Sequence, residues 1–267
     1  MTARVRTMRI DNPDIGTGDA SWASLYRVAG VAALVAAVLF LSDIVVLAFA
    51  GSPPVAANDW FSLLQNHRIT GLIQLFFSDL FGLALLVPVI IALCAVLRRV
   101  NAAYSILAAV FAIGSIAGGF ATNTSYSLVY LSDQYVAAAT ELQRAEIMTA
   151  AQSMLATATS TWSTGFLMSA FFVELALVIL SVLMMRSSIF GKGIAYLGIV
   201  GHGLDLAHAV VFLLVMPLVN ADSALAVGMP LLAIGGTVQL IWYPLVARKL
   251  FQLGRREQQT PAAISRA

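Results

Sequence analysis

The chain has 267 residues, of which 60% are hydrophobic and only 10% charged, and its net charge is +2. An ordinary soluble domain carries about a quarter charged residues, so this composition excludes one and points to an all-α integral membrane protein. The small positive excess is dispersed along the chain and excludes a nucleic-acid surface.

Residues 1–24 read as a polar tail, in which Pro13, Gly16 and Gly18 break any helix. The first apolar run, Val28 to Ala50, ends in Ala48-Phe49-Ala50, the small-residue pattern of a signal-peptidase site. Its leader is too long, and the run exceeds the roughly 7 to 15 residues of a signal core, so it is read as the first transmembrane span. A loop from Gly51 to Ile69 holds Asn58-Asp59-Trp60-Phe61, where Asn58 or Asp59 is expected to cap a short interfacial helix. The second span is expected over Thr70 to Leu97, with Pro88 inside it and the single cysteine, Cys94, near its end.

Arg98-Arg99-Val100-Asn101 is long enough only for a turn. The third span follows over Ala103 to Tyr126, with Gly114, Gly118 and Gly119 offering a small-residue face for close helix contact. Between Ser132 and Ser160 the chain becomes polar, and Thr140-Glu141-Leu142-Gln143 has the spacing of a capping box. Leu142, Ala145, Met148, Met154 and Leu155 predict an amphipathic helix there, on the membrane or over the bundle mouth. Further spans are expected over Trp162 to Met185, Ile194 to Pro217 and Ala224 to Ala247. The chain thus divides into the polar tail, a six-helix transmembrane domain over 25–250, and a basic tail over 251–267.

Six spans place thirteen of the fifteen lysines and arginines on the side of the termini and leave only Arg68 and Arg144 opposite. By the positive-inside rule both termini are cytoplasmic, and the helix between the third and fourth spans lies in an outer loop of a bacterial inner-membrane protein. Trp22, Tyr26, Tyr104, Trp242 and Tyr243 are expected to flank the inner interface, and Trp60, Tyr126, Tyr130 and Trp162 the outer one. Tyr26-Arg27-Val28-Ala29-Gly30, Leu97-Arg98-Arg99-Val100-Asn101, Leu131-Ser132-Asp133-Gln134-Tyr135 with Gln143-Arg144-Ala145, and Met184-Met185-Arg186-Ser187 before Gly191 resemble the bacterial family catalogued as domain of unknown function 4386. The resemblance implies a six-helix bacterial membrane protein and carries over no catalytic or binding residue.

Ionisable groups at membrane depth are costly and mark functional sites. Counting about 1.5 Å of rise per residue puts Asp43, Asp79 and His208 in the outer half of the bilayer, Glu174 and Asp205 near its midplane, and His202 deeper. His202, Asp205 and His208 follow one another at intervals of three, so Asp205 neighbours both histidines on the helix face, while the histidines diverge. A divalent metal would therefore need carboxylates from other helices: His208 with Asp79 and Asp43, and Asp205 either as a further ligand or orienting an imidazole. His202 could instead pair with Glu174. Gln74, Asn123 and Gln239 are expected to form interhelical hydrogen bonds.

Three functions compete. A small ion- or proton-coupled transporter would use the buried acids and histidines as a relay. An intramembrane metal-dependent hydrolase acting on a lipid would need a metal-bound water. A non-catalytic scaffold or partner subunit would use the same groups as internal glue. The expected surroundings are the lipid bilayer and a small-molecule or ion substrate; no haem, phosphate-loop or zincin motif is present.

Overall fold

The computed structural model describes residues 20–51, 53–54, 56–75, 77–158, 164–215, 218 and 221–264. Among these, six helices are long and apolar enough to cross a membrane. They are α1 (Ala20–Ala50), α4 (Phe77–Leu97), α5 (Ala102–Thr122), α8 (Thr164–Arg186), α9 (Lys192–Val210) and α10 (Ala221–Ile264). Each packs on the next in chain order and α10 closes on α1, making a ring, with α4 also touching α8 across it. Four shorter helices, α2 (Ala57–Asn66), α3 (Arg68–Gln74), α6 (Ser125–Ala137) and α7 (Glu141–Ala158), gather at the end of the ring where α1 and α5 finish.

The main core fills the half of the ring away from these short helices. Ala29, Ala33 and Ala36 of α1 and Ala108 and Ala112 of α5 are fully buried, and small side chains there let the backbones approach. Leu93, Leu97, Leu177, Leu180, Met184, Val246 and Leu250 fill the space between them. A second core joins the short helices through Trp60, Phe61, Leu64, Leu128, Ala151 and Leu155.

The second expected span is in fact broken at Leu75, between α3 and α4. Ser125, fifty positions on, donates its hydroxyl to the Leu75 carbonyl, and Gln74 donates to the Gly51 carbonyl at 2.9 Å. The acceptor freed by the break and the one just past the end of α1 thus find partners inside the protein. The third span stops early for a similar reason: Asn123 turns extended, and its Oδ1 accepts from the Ser125 amide at 3.0 Å, starting α6. Asn123 therefore serves as a local cap rather than as a bond between helices.

The helix expected after the first span is α2, but its N-cap is Ala56, without a side-chain cap, and Trp60 and Phe61 are buried instead of lying at an interface. The capping box forms as its spacing predicts: Thr140 Oγ1 accepts from the Gln143 amide at 3.2 Å, and Gln143 Oε1 accepts from the Thr140 amide at 3.3 Å. Of the expected apolar stripe on α7, Leu155 is buried and Met148 and Met154 pack on the second core, whereas Leu142 is exposed.

Packing of α5 on α8 uses a face next to the one expected. Ser115 and Ser169 exchange hydroxyl-to-carbonyl bonds, Ser169 to Ser115 at 2.7 Å, and Gly119 lies against Ser169. Gly114 and Gly118 meet nothing and stand on the outer surface. The last helix continues past Ala247 to Ile264 because Leu250, Phe251 and Leu253 prolong its apolar face; Phe251 packs against Gly30, and Gly254 against the Ala23 carbonyl. The beginning of the segment read as a basic tail is therefore helical.

Candidate functional site

Three consecutive helices, α8, α9 and α10, meet midway along the ring. Gly198 and Gly201 on α9 and Gly235 on α10 permit this approach: a Cβ on Gly201 would stand 3.3 Å from the Gln239 backbone nitrogen, and one on Gly235 3.0 Å from the Gly201 carbonyl oxygen. Spacings of three and four residues then turn His202 and Asp205 from α9, and Gln239, Trp242 and Tyr243 from α10, toward Glu174 of α8.

His202 is fully buried, and its Nδ1 lies 2.8 Å from Glu174 Oε2. An ionised carboxylate only accepts, so where Glu174 is ionised Nδ1 is the donor of this bond. Gln239 donates from Nε2 to Asp205 Oδ2 at 2.7 Å, and the same nitrogen stands 3.4 Å from Glu174 Oε2. One amide thus joins two carboxylates from neighbouring helices. Trp242 meets the His202 ring edge-on at a centroid distance of 4.6 Å, and Tyr243 follows at 6.1 Å. The Glu174 side chain keeps 13% of its surface accessible, whereas His202 keeps none.

Several buried polar atoms in this region lack a hydrogen-bond partner: His202 Nε2, Asp205 Oδ1, Ser181 Oγ and Trp242 Nε1. Ser181 and Trp242 both abut Gly198, one turn from His202. Buried polar atoms without a partner also occur elsewhere, at Trp60 Nε1, Ser105 Oγ and Ser132 Oγ, but this crossing is where they include a carboxylate and an imidazole together.

The remaining candidates lie apart from this cluster. His208 is buried near the end of α9, with Nδ1 3.0 Å from the Gly228 carbonyl and its ring against Phe212. Three residues later the chain widens into a π-helical turn, Val211–Val215. Asp43 is half-buried on α1, two turns from its end. The side chain of Asp79 lies outside the described residues. Asp205, expected to orient an imidazole, takes the Gln239 amide instead. Among the described residues no three His, Cys, Asp or Glu side chains come together as a metal site; the ligand set expected around His208 turns on Asp79, whose side chain lies outside them. His67 is exposed between α2 and α3.

Gln239 forms the interhelical bonds expected of it, but its partners were not legible from depth alone. Trp242 and Tyr243 are a correction: read as interface anchors, both are fully buried beside His202. The spacing Gly235, Gln239, Trp242, Tyr243, Val246 places them on one helical stripe with the glycine contact, and that stripe was the available signal. Trp22 does lie near a terminus of the ring, where the Arg98 guanidinium stands 5.4 Å from its ring centre. Trp162 lies outside the described residues.

A family model described as a domain of unknown function, DUF4386, matches residues 28–244. No curated protein matches significantly, and no solved structure does. The matched stretch takes in all six candidate spans, at least in part, and every member of the central cluster. The chain is a polytopic helical protein of the DUF4386 family.

Proposed function

We propose that this protein is a small proton-coupled transporter of the bacterial inner membrane, with both termini in the cytoplasm and the short helices α2, α3, α6 and α7 on the outer face. The observation that carries the reading is the bridge from Gln239 to Asp205 and Glu174, with His202 bonded to Glu174, at the middle of a six-span bundle. Acids and an imidazole joined at that depth can take up and pass a proton, and such groups are kept in membranes chiefly for that work. The thirteen-to-two distribution of basic residues supports the orientation.

Proteoliposomes enclosing a pH-sensitive dye test the reading. Wild-type protein should dissipate an imposed proton gradient, alone or on addition of a transported solute, and Glu174→Gln should abolish the flux while remaining folded. Equal, protein-independent leak in both preparations, across a broad panel of solutes, rejects transport and leaves the network as internal glue between helices.

A further inference from the structure

The central cluster carries more negative charge than its positive groups can balance. Glu174 from α8 and Asp205 from α9 face each other through Gln239, and the titratable neighbours are His202 of α9, Tyr243 of α10 and, farther off and bonded to the Gly228 carbonyl, His208 of α9. The lysines and arginines within the six spans, Arg27, Arg186, Lys192, Arg248, Lys249 and Arg255, all stand within about two turns of a span's end, away from the middle where the cluster sits. Even a charged His202 therefore leaves one carboxylate uncompensated in a low-dielectric interior, where two nearby carboxylates do not both stay ionised.

The two carboxyl groups are not equivalent. Glu174 Oε2 receives the His202 Nδ1 hydrogen and lies beside the Gln239 amide, an arrangement that suits an anion. Asp205 has a donor only at Oδ2, while its Oδ1 is buried without one. That oxygen and the carbonyl oxygen of Gly201, one helical turn before Asp205, both border Gly235: a Cβ there would collide with Oδ1 and stand 3.0 Å from the Gly201 oxygen. A buried acceptor without a donor is satisfied if it carries a hydrogen itself and has an acceptor within reach.

We infer that Asp205 is a resident proton-binding site, protonated on Oδ1 and donating that hydrogen back to the Gly201 carbonyl, while Glu174 is the ionised partner of His202. The bond repeats, with a carboxylic acid, the one-turn-back pattern that serine and threonine make in helices. Glycine at 235 leaves room for the protonated oxygen, and the Gln239 amide holds the other one. This deepens the proton-transport reading by naming the residue that holds the proton at rest. Its test is made on resting protein and stands or falls without any measurement of flux.

The test is difference infrared spectroscopy of the full-length protein in detergent at neutral pH. The wild type should show the carbonyl stretch of a protonated carboxylic acid, shifted by deuterium exchange and by isotopic labelling of aspartate but not of glutamate. Asp205→Asn should lose that band, and Glu174→Gln should keep it. Absence of the band in wild type overturns the assignment, as does a shift on labelling glutamate alone or a band that survives in Asp205→Asn. The labelling arm uses wild-type protein, so it decides the class of acid even where a variant misfolds.

Discussion

Gln239 and Asp205 meet at 2.7 Å across α9 and α10, and the nitrogen that makes this bond also reaches toward Glu174 on α8. Three helices are thereby tied by one side chain that carries no charge. Replacing it with leucine removes the only donor that Asp205 has among the bonds of the cluster. Gln239→Leu should destabilise the protein by about 1–3 kcal/mol, the cost of leaving a buried acceptor without its partner. Denaturant unfolding in detergent measures this, and a midpoint equal to wild type would show that the bridge adds nothing to stability. Gln239→Glu, which adds a third carboxyl group to the cluster, should lower the midpoint further.

The contact between His202 and Glu174 should appear as an energetic coupling. Glu174→Gln, His202→Asn and the double variant form a cycle whose interaction energy is expected at about 0.5–3 kcal/mol, the range for residues sharing one network. Additive effects in unfolding would mean that the 2.8 Å contact is energetically idle.

Glycines of this protein should respond to alanine in opposite ways according to what a methyl group would meet. At Gly198 it would strike the Ser181 hydroxyl and the Trp242 indole nitrogen, both fully buried. Gly198→Ala is expected to cost about 1–3 kcal/mol, as overpacking does. Gly118→Ala meets open space on a helix surface and should gain up to about 1 kcal/mol from helix propensity. Thermal unfolding of the two variants side by side checks the contrast; similar losses at both sites would contradict the packing described here.

Arg68 and Asp133 form a two-pronged ion pair, at 2.8 and 2.9 Å, that joins α3 to α6 on an exposed surface. Solvent screening leaves such pairs little global weight. Asp133→Asn should therefore leave the unfolding midpoint unchanged while speeding amide exchange in α3 and the last turns of α6, and high salt should speed exchange of the wild type at the same amides. A fall in global stability would show that the short helices and the ring unfold as one unit.

Much of the architecture was legible because it depends on local quantities. Apolar length fixed the six spans, the charge count supported their number, and the Thr140 to Gln143 spacing foretold a capping box that forms at both of its bonds. The breaks at Leu75 and Asn123 were not legible. A helix interrupted at membrane depth needs a distant partner for its freed carbonyl, and nothing near Leu75 in the chain announces Ser125. In the same way, axial rise put Glu174 and Asp205 at a common level with His202 somewhat deeper, but rise carries no information on the direction a side chain faces. Azimuth is set by the glycine contacts at 198, 201 and 235, and these moved Trp242 and Tyr243 from an expected interface into the interior.

Because neighbours around the ring are also neighbours along the chain, most of the bundle can assemble in the order in which it is synthesised. Glu174 and Asp205 enter the membrane on α8 and α9, before the helix that supplies Gln239 exists. The two acids therefore wait without their shared donor until α10 inserts, and the same helix shuts the ring against α1. Insertion of α10 thus closes the ring and completes the polar centre in a single event.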